Sequence, residues 1–240
     1  MTERRGDGVA PAVSAAASPA MESLYPFLYA DGAQGEQAVR AHVRASTIAK
    51  AEEILQLRRM IARQDGARMA ECAREMAARF AAGGRLFAFG NGGSATDAAR
   101  LANLFLDPQH TDGARPLPAF GLSSDSSVVT ALGNDVGLEV VFARQLGALA
   151  RPADIAVGLS TSGNSANLLR AFSEAGRRGL LTVGLAGYDG GKMAEIASLD
   201  YLFVVRSDSV HRIQEAQTTI YQVLWELTVR QVAHVPRDTG

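Results

Sequence analysis

The chain has 240 residues, 24 of them basic and 25 acidic, for a formal net charge of −1. Such near-balance argues against a nucleic-acid binder that works by bulk electrostatics, because those domains carry a basic excess that displaces counterions. Cys72 is the only cysteine, which excludes intrachain disulfides and cysteine-built metal clusters and fits a reducing, cytoplasmic setting. Hydrophobic residues make up 47%, enough for a substantial core, yet no apolar run reaches the ~20 residues that cross a bilayer.

Residues 1–20 are rich in Ala, Ser, Pro and Gly without periodicity and are expected to form a disordered tail. Asp7, Pro11 and Ser14 interrupt any signal-peptide apolar stretch. Residues 22–30, ESLYPFLYA, form an isolated aromatic cluster that is expected to dock on its own domain or a partner. From about Glu36 to Ala82 the apolar residues fall at helical spacing, with Ile48, Ile54, Leu55, Leu57, Met60 and Ile61 on one stripe. Gln64-Asp65-Gly66 reads as a break, dividing an N-terminal segment and helix (21–64) from the main domain (65–235). Met69, Cys72, Met76 and Phe80 then resume the helix until Gly83-Gly84.

Beyond Gly84 the rhythm changes to short apolar runs at 85–89, 117–122, 154–159, 180–186 and 200–205. Helical patterns separate them at about 94–106, 126–132, 138–150, 165–178 and 190–197, and a last helix covers about 209–232. Continuously apolar strands alternating with helices predict a doubly wound, five-stranded parallel sheet, an α/β domain with an N-terminal helical extension. In such sheets ligands bind at the carboxyl ends of the strands, near the topological switch point.

Two strand-to-helix loops stand out: Gly90-Asn91-Gly92-Gly93-Ser94, and Ser160-Thr161-Ser162-Gly163-Asn164-Ser165. Hydroxyls, free backbone N–H groups and a positive helix end would converge there on a phosphate-sized anion. Ordinary capped helix starts would explain one such loop more readily than two on one sheet edge. Gly90-x-Gly92-x-x-Ala95 formally matches a dinucleotide fingerprint, but the second strand ends in Gly121-Leu122-Ser123-Ser124 without the required acid. Gly190-Gly191-Lys192-Met193 lacks the Ser/Thr of a phosphate loop of the Walker type.

GNGGS at 90–94, GND at 133–135, STSGNS at 160–165, GYDGGKM at 187–193 and RIQE at 212–215 together resemble the phosphoheptose isomerase branch of the sugar isomerase (SIS) domain family. The resemblance runs from about Asp65 to Val232. It implies a flavodoxin-like sheet, a small sugar-phosphate ligand and a homotetramer with sites between subunits. It also implies phosphate contacts from Ser160, Thr161, Ser162 and Ser165, and sugar contacts from Asn91, Gly92, Gly93, Ser94, Asn134 and Asp135.

The isomerases carry His and Glu, four residues apart, where this chain has Arg100 and Leu104. They also carry Gln and His, eight residues apart, where it has Gln214 and Gln222, and an Asp at the place of His211. Zinc is expected in the family, but its ligands are not retained, so no metal or other cofactor is expected. Two functions follow from this pattern. The favoured one is a ligand-binding or adaptor protein that keeps the fold and phosphate loop without the chemistry; the family also contains an adaptor that binds a replication initiator. The alternative is an aldose–ketose isomerase of sedoheptulose 7-phosphate or a related sugar phosphate, with Gln214 retained and His211, Asp97 or Asp135 as base. Neither calls for a membrane or direct nucleic-acid contact.

Overall fold

The computed structural model describes residues 33–108 and 115–233; the tail and the aromatic cluster of residues 22–30 lie outside them. Helix α1, Ala33–Ala81, is continuous. Its first stretch, to Glu52, is one compact unit, and the chain from Glu53 onward is the other. The break expected at residues 64–66 does not occur. A glycine inside a helix costs about 1 kcal/mol, but Leu57 and Ile61 before it and Met69, Cys72 and Met76 after it are all buried in one core. Burial on both sides holds the helix together through Gly66. Of the predicted stripe, Leu57 and Ile61 are buried, whereas Ile48 and Leu55 are 48% and 46% exposed.

Five strands follow: β1 (Leu86–Gly90), β2 (Ala119–Gly121), β3 (Ile155–Leu159), β4 (Leu181–Gly187) and β5 (Tyr201–Val205). They pair in parallel in the order β2-β1-β3-β4-β5. Between them lie α2 (Gly93–Leu106), α3 (Ser126–Asp135), α4 (Val141–Leu149) and α5 (Ala166–Arg177), and α6 (Val210–Ala233) follows the last strand. This is the expected five-stranded α/β fold. Alternate residues feed the two faces. Leu86, Ala88, Ile155, Val157, Leu181 and Val183 join one core with α2, α6 and the C-terminal part of α1. Phe87, Phe89, Ala156 and Ala186 join the other, with α4 and α5. That two-residue period is what a sheet covered on both faces requires.

Three expectations are refined. The segment at 190–197 is a single 3₁₀ turn, Gly191–Glu195, because its backbone is tied to the loop after β3. Residues 138–150 divide into a 3₁₀ turn, Leu138–Val140, and α4. On α6, Ile220 and Leu224 are buried within their own subunit, with Val223, Trp225 and Leu227 partly covered. Most of that helix's apolar surface is therefore already satisfied, and it does not by itself call for another subunit.

Candidate ligand site at the sheet switch point

The chain passes from β1 outward to β2 and then returns to β3 on the other side of β1. The switch point therefore lies between β1 and β3, and the two loops singled out by sequence, 90–94 and 160–165, flank it. They are joined directly. The side-chain amides of Asn91 and Asn167 exchange two hydrogen bonds of 2.9 Å, locking the first loop to the start of α5.

The second loop is built as a turn held by its own serine hydroxyls. Ser160 is 4% exposed, and its hydroxyl accepts from the Gly163 N–H at 3.0 Å. The Ser162 hydroxyl accepts from the Asn164 N–H at 3.2 Å, and Ser165 stands at the N-cap of α5. Ser160 Oγ and Ser165 Oγ are 3.4 Å apart. Thr161, Ser162 and Ser165 are partly exposed at the carboxyl end of the sheet.

The GYDGGKM segment braces this turn from behind. Asn164 Oδ1 accepts from the Lys192 N–H, and the Gly163 carbonyl accepts from the Met193 N–H, both at 3.0 Å. Gly163 has φ +66°, and a Cβ there would overlap the Gly190 carbonyl oxygen. Gly191 has φ +53°, and a Cβ there would overlap the Ser162 carbonyl oxygen. Only glycine meets both demands without strain. Two motifs distant in sequence thus form one rigid loop pair.

Helices α2 and α6 run alongside each other, with Gly93 beside the Gln214 amide and Asp97 beside Tyr221. The Tyr221 hydroxyl donates to Asp97 Oδ1 at 3.3 Å, and the neighbouring Thr218 hydroxyl donates to the Gln214 carbonyl at 3.0 Å. Burial raises the Asp97 carboxyl above its ordinary range, opposed by the Tyr221 hydrogen bond and the Arg100 charge. Tyr221 is fully buried, and that burial raises its hydroxyl. Arg100 is exposed, whereas Leu104 is partly buried and packs against the core.

The remaining predicted residues lie apart. Gln222 is exposed and eight residues beyond Gln214 on the same helix, about 12 Å along its axis. The two amides thus stand more than two turns apart on one helix. His211 is exposed in the first turn of α6. Asn134 and Asp135 end α3, exposed and hydrogen-bonded to each other at 3.0 Å. Asp125, the acid just beyond β2, caps α3 by accepting from the N–H groups of Ser127 and Val128. Among the described residues, no three His, Cys, Asp or Glu side chains gather as a possible metal-binding group.

Sequence reasoning missed Asn167 and Gln217. Gln217 is fully buried on α6, and its Nε2 donates to the Ser160 carbonyl at 3.0 Å. Its Oε1 has no hydrogen-bond partner, an arrangement that costs roughly 1–3 kcal/mol. Its spacing, three residues after Gln214, puts both on one face of α6 and gives no sign that one of them is buried. Gln217→Leu is expected to change stability by no more than about 1 kcal/mol, since the lost bond and the removed orphan offset each other. Phosphate-ligand affinity should nevertheless fall about fivefold to tenfold as the Ser160 carbonyl loses its tether. Urea unfolding and ligand titration of the same variant check the two halves.

Residues 49–187 match the family model described as SIS domain. The phosphoheptose isomerase of Solidesulfovibrio magneticus is 46% identical over 168 residues, 70% of this chain and 80% of that protein. That of Nitratidesulfovibrio vulgaris is 41% identical over 187 residues, 78% of this chain and 88% of that one. Among solved structures, a phosphoheptose isomerase from Francisella tularensis superposes with TM-score 0.73 at 28% identity, covering 78% of this chain and 98% of that one. One from Neisseria gonorrhoeae gives 0.70 at 32% identity, covering 77% and 97%.

Proposed function

Because the chain belongs to the SIS-domain family and is phosphoheptose-isomerase-like, we propose that it binds a small sugar phosphate without isomerising it. The observation that carries the binding half is the loop pair at the switch point. Ser160, Thr161, Ser162 and Ser165 supply hydroxyls, and the start of α5 adds backbone N–H groups and the positive end of its dipole. Asn91, Gly92, Gly93 and Ser94 line the neighbouring loop, and Gln214 reaches it from α6.

What supports the second half is the chemistry of the donor set. Zinc takes three or four N, O or S ligands at close range. The corresponding positions here hold a permanent cation at Arg100, a core-packed Leu104 and two neutral amides, Gln214 and Gln222. A guanidinium repels a dication, and leucine offers it no lone pair. These residues do not fit the metal, and no step is routed through one.

We assign a homotetramer in the cytoplasm on the family resemblance and on the single-cysteine composition. Light scattering should then give a mass about four times that of one chain, and a monomer mass would contradict it. A second reading, isomerisation of sedoheptulose 7-phosphate, is favoured by the 46% identity to a phosphoheptose isomerase.

The binding half is tested by thermal shift with sedoheptulose 7-phosphate, other sugar phosphates and inorganic phosphate. A ligand present at a hundred times its Kd should stabilise by about 2.7 kcal/mol, a rise of several degrees in Tm. No shift with any sugar phosphate would defeat the proposal.

A further inference from the structure

We infer that Asn167 is a positioning residue for the sugar end of the ligand, holding the Asn91 amide in one orientation against a sugar hydroxyl. This rests on the sugar-phosphate reading above and names what sets selectivity for the sugar within that site. Asn91 stands in the loop after β1, and Asn167 is the second residue of α5, 76 positions later in the chain. Together they bridge the switch point from the β1 side to the β3 side. The backbone on the β1 side is already set. The Asn91 carbonyl accepts from the Ser94 N–H at 3.0 Å, and the Gly90 carbonyl from Ser123 Oγ at 2.9 Å. What remains to be fixed there is the Asn91 side chain, which is exposed and would otherwise turn freely in water.

Asn167 fixes that side chain through a relay of three hydrogen bonds. The Leu168 N–H, shared with the Ser165 carbonyl, donates to Asn167 Oδ1 at 3.0 Å. An N–H can face only an acceptor, so this bond decides which end of the Asn167 amide is oxygen. Asn167 Oδ1 then accepts from Asn91 Nδ2, and Asn167 Nδ2 donates to Asn91 Oδ1, each at 2.9 Å. Turning the Asn91 amide over would set N–H against N–H and oxygen against oxygen, so only one orientation keeps the pair. In that orientation Asn91 has one N–H and one oxygen lone pair left. A hydroxyl, which both donates and accepts, matches such a group. Inorganic phosphate carries no sugar hydroxyl to meet it.

The same residue faces the phosphate end through its backbone. Ser165 is the N-cap of α5 and makes no side-chain cap bond, and N–H groups in a helix's first turn have no acceptor within the helix. The Asn167 N–H is one of these, so a phosphate received there is bound to the residue whose side chain carries Asn91. Alanine at 167 would keep that N–H and lose both amide bonds. The sugar half of the site would then lose its orientation while the phosphate half keeps its donor.

The test is calorimetric titration of the full-length protein with sedoheptulose 7-phosphate and with inorganic phosphate, across a mutant cycle. The readout is the ratio of the two affinities, which a general loosening of α5 would leave unchanged. Asn167→Ala should lower the preference for the sugar phosphate about fivefold to tenfold, the worth of one or two hydrogen bonds. Asn91→Ala should lower it by a similar factor, and the double variant no further, because the two side chains act as one unit. Asn167→Asp keeps an acceptor for the Leu168 N–H and puts an acid in the first turn of α5, where it is favoured. It cannot donate to Asn91 Oδ1, so its preference should fall as well with the helix start intact. No preference for the sugar phosphate in the wild-type protein, a preference untouched by Asn167→Ala, or factors that multiply in the double variant would each overturn the inference while leaving phosphate binding intact. Failure of the wild-type protein to bind either probe would remove the underlying sugar-phosphate reading, and this inference with it.

Discussion

Ser162→Asp is expected to weaken sugar-phosphate binding by a factor of 10² or more while leaving the fold standing. The new carboxylate would sit where the proposed site receives the phosphate, and two like charges about 4 Å apart repel by about 4 kcal/mol in a partly solvated site. Converted to affinity, that is close to a thousandfold. The turn itself should survive, because Ser162 Oγ only accepts from the Asn164 N–H, and an aspartate oxygen accepts the same hydrogen in an Asx turn. Thermal unfolding without ligand should therefore match wild type within a degree or two. Ligand-induced stabilisation should vanish. Undiminished binding by this variant would move the phosphate site away from residues 160–165.

Asp154→Ala should do the reverse, removing stability at the opposite end of the sheet from the ligand loops. Asp154 is 1% exposed just before β3. Its two oxygens accept from the backbone N–H groups of Arg85 and Arg151, each at 2.8 Å, and pair with the Arg85 guanidinium at 2.8 Å. Alanine would take the acceptor from both backbone N–H groups and the carboxylate from the Arg85 guanidinium, which keeps its bond to the Leu149 carbonyl. Breaking a buried pair in this way costs about 3–5 kcal/mol, or some 6–20 °C in Tm for a domain of this size. Ligand affinity should be unchanged. A loss below about 1 kcal/mol in urea unfolding would show that the cluster contributes little.

The parallel sheet was legible because its strands are continuously apolar and its helices are separated by glycine and polar turns. β1, β3 and β4 came within a residue or two of their observed bounds. The continuity of α1 was not legible, since Asp65-Gly66 is a strong local stop and only tertiary burial of Ile61 and Met69 overrides it. The two loops at the switch point were readable as candidates from their hydroxyl and glycine content. Their bracing was not, because the contact of Gly163 with Gly190, and of Gly191 with Ser162, joins segments far apart in sequence. Gln217 escaped for a similar reason. A glutamine on a long amphipathic helix gives no sign that it is buried under a loop some 57 residues earlier.

The most direct measurement is incubation with sedoheptulose 7-phosphate, with and without added Zn²⁺, followed by NMR for the aldose product. On the proposed loss of the general base and electrophile, at least the 10²–10⁴ in rate that positioned proton transfer contributes is forfeited. The account predicts a bound ketose phosphate, no aldose product above the uncatalysed level, and no dependence on zinc. Rapid formation of the aldose, and above all its stimulation by zinc, would contradict it.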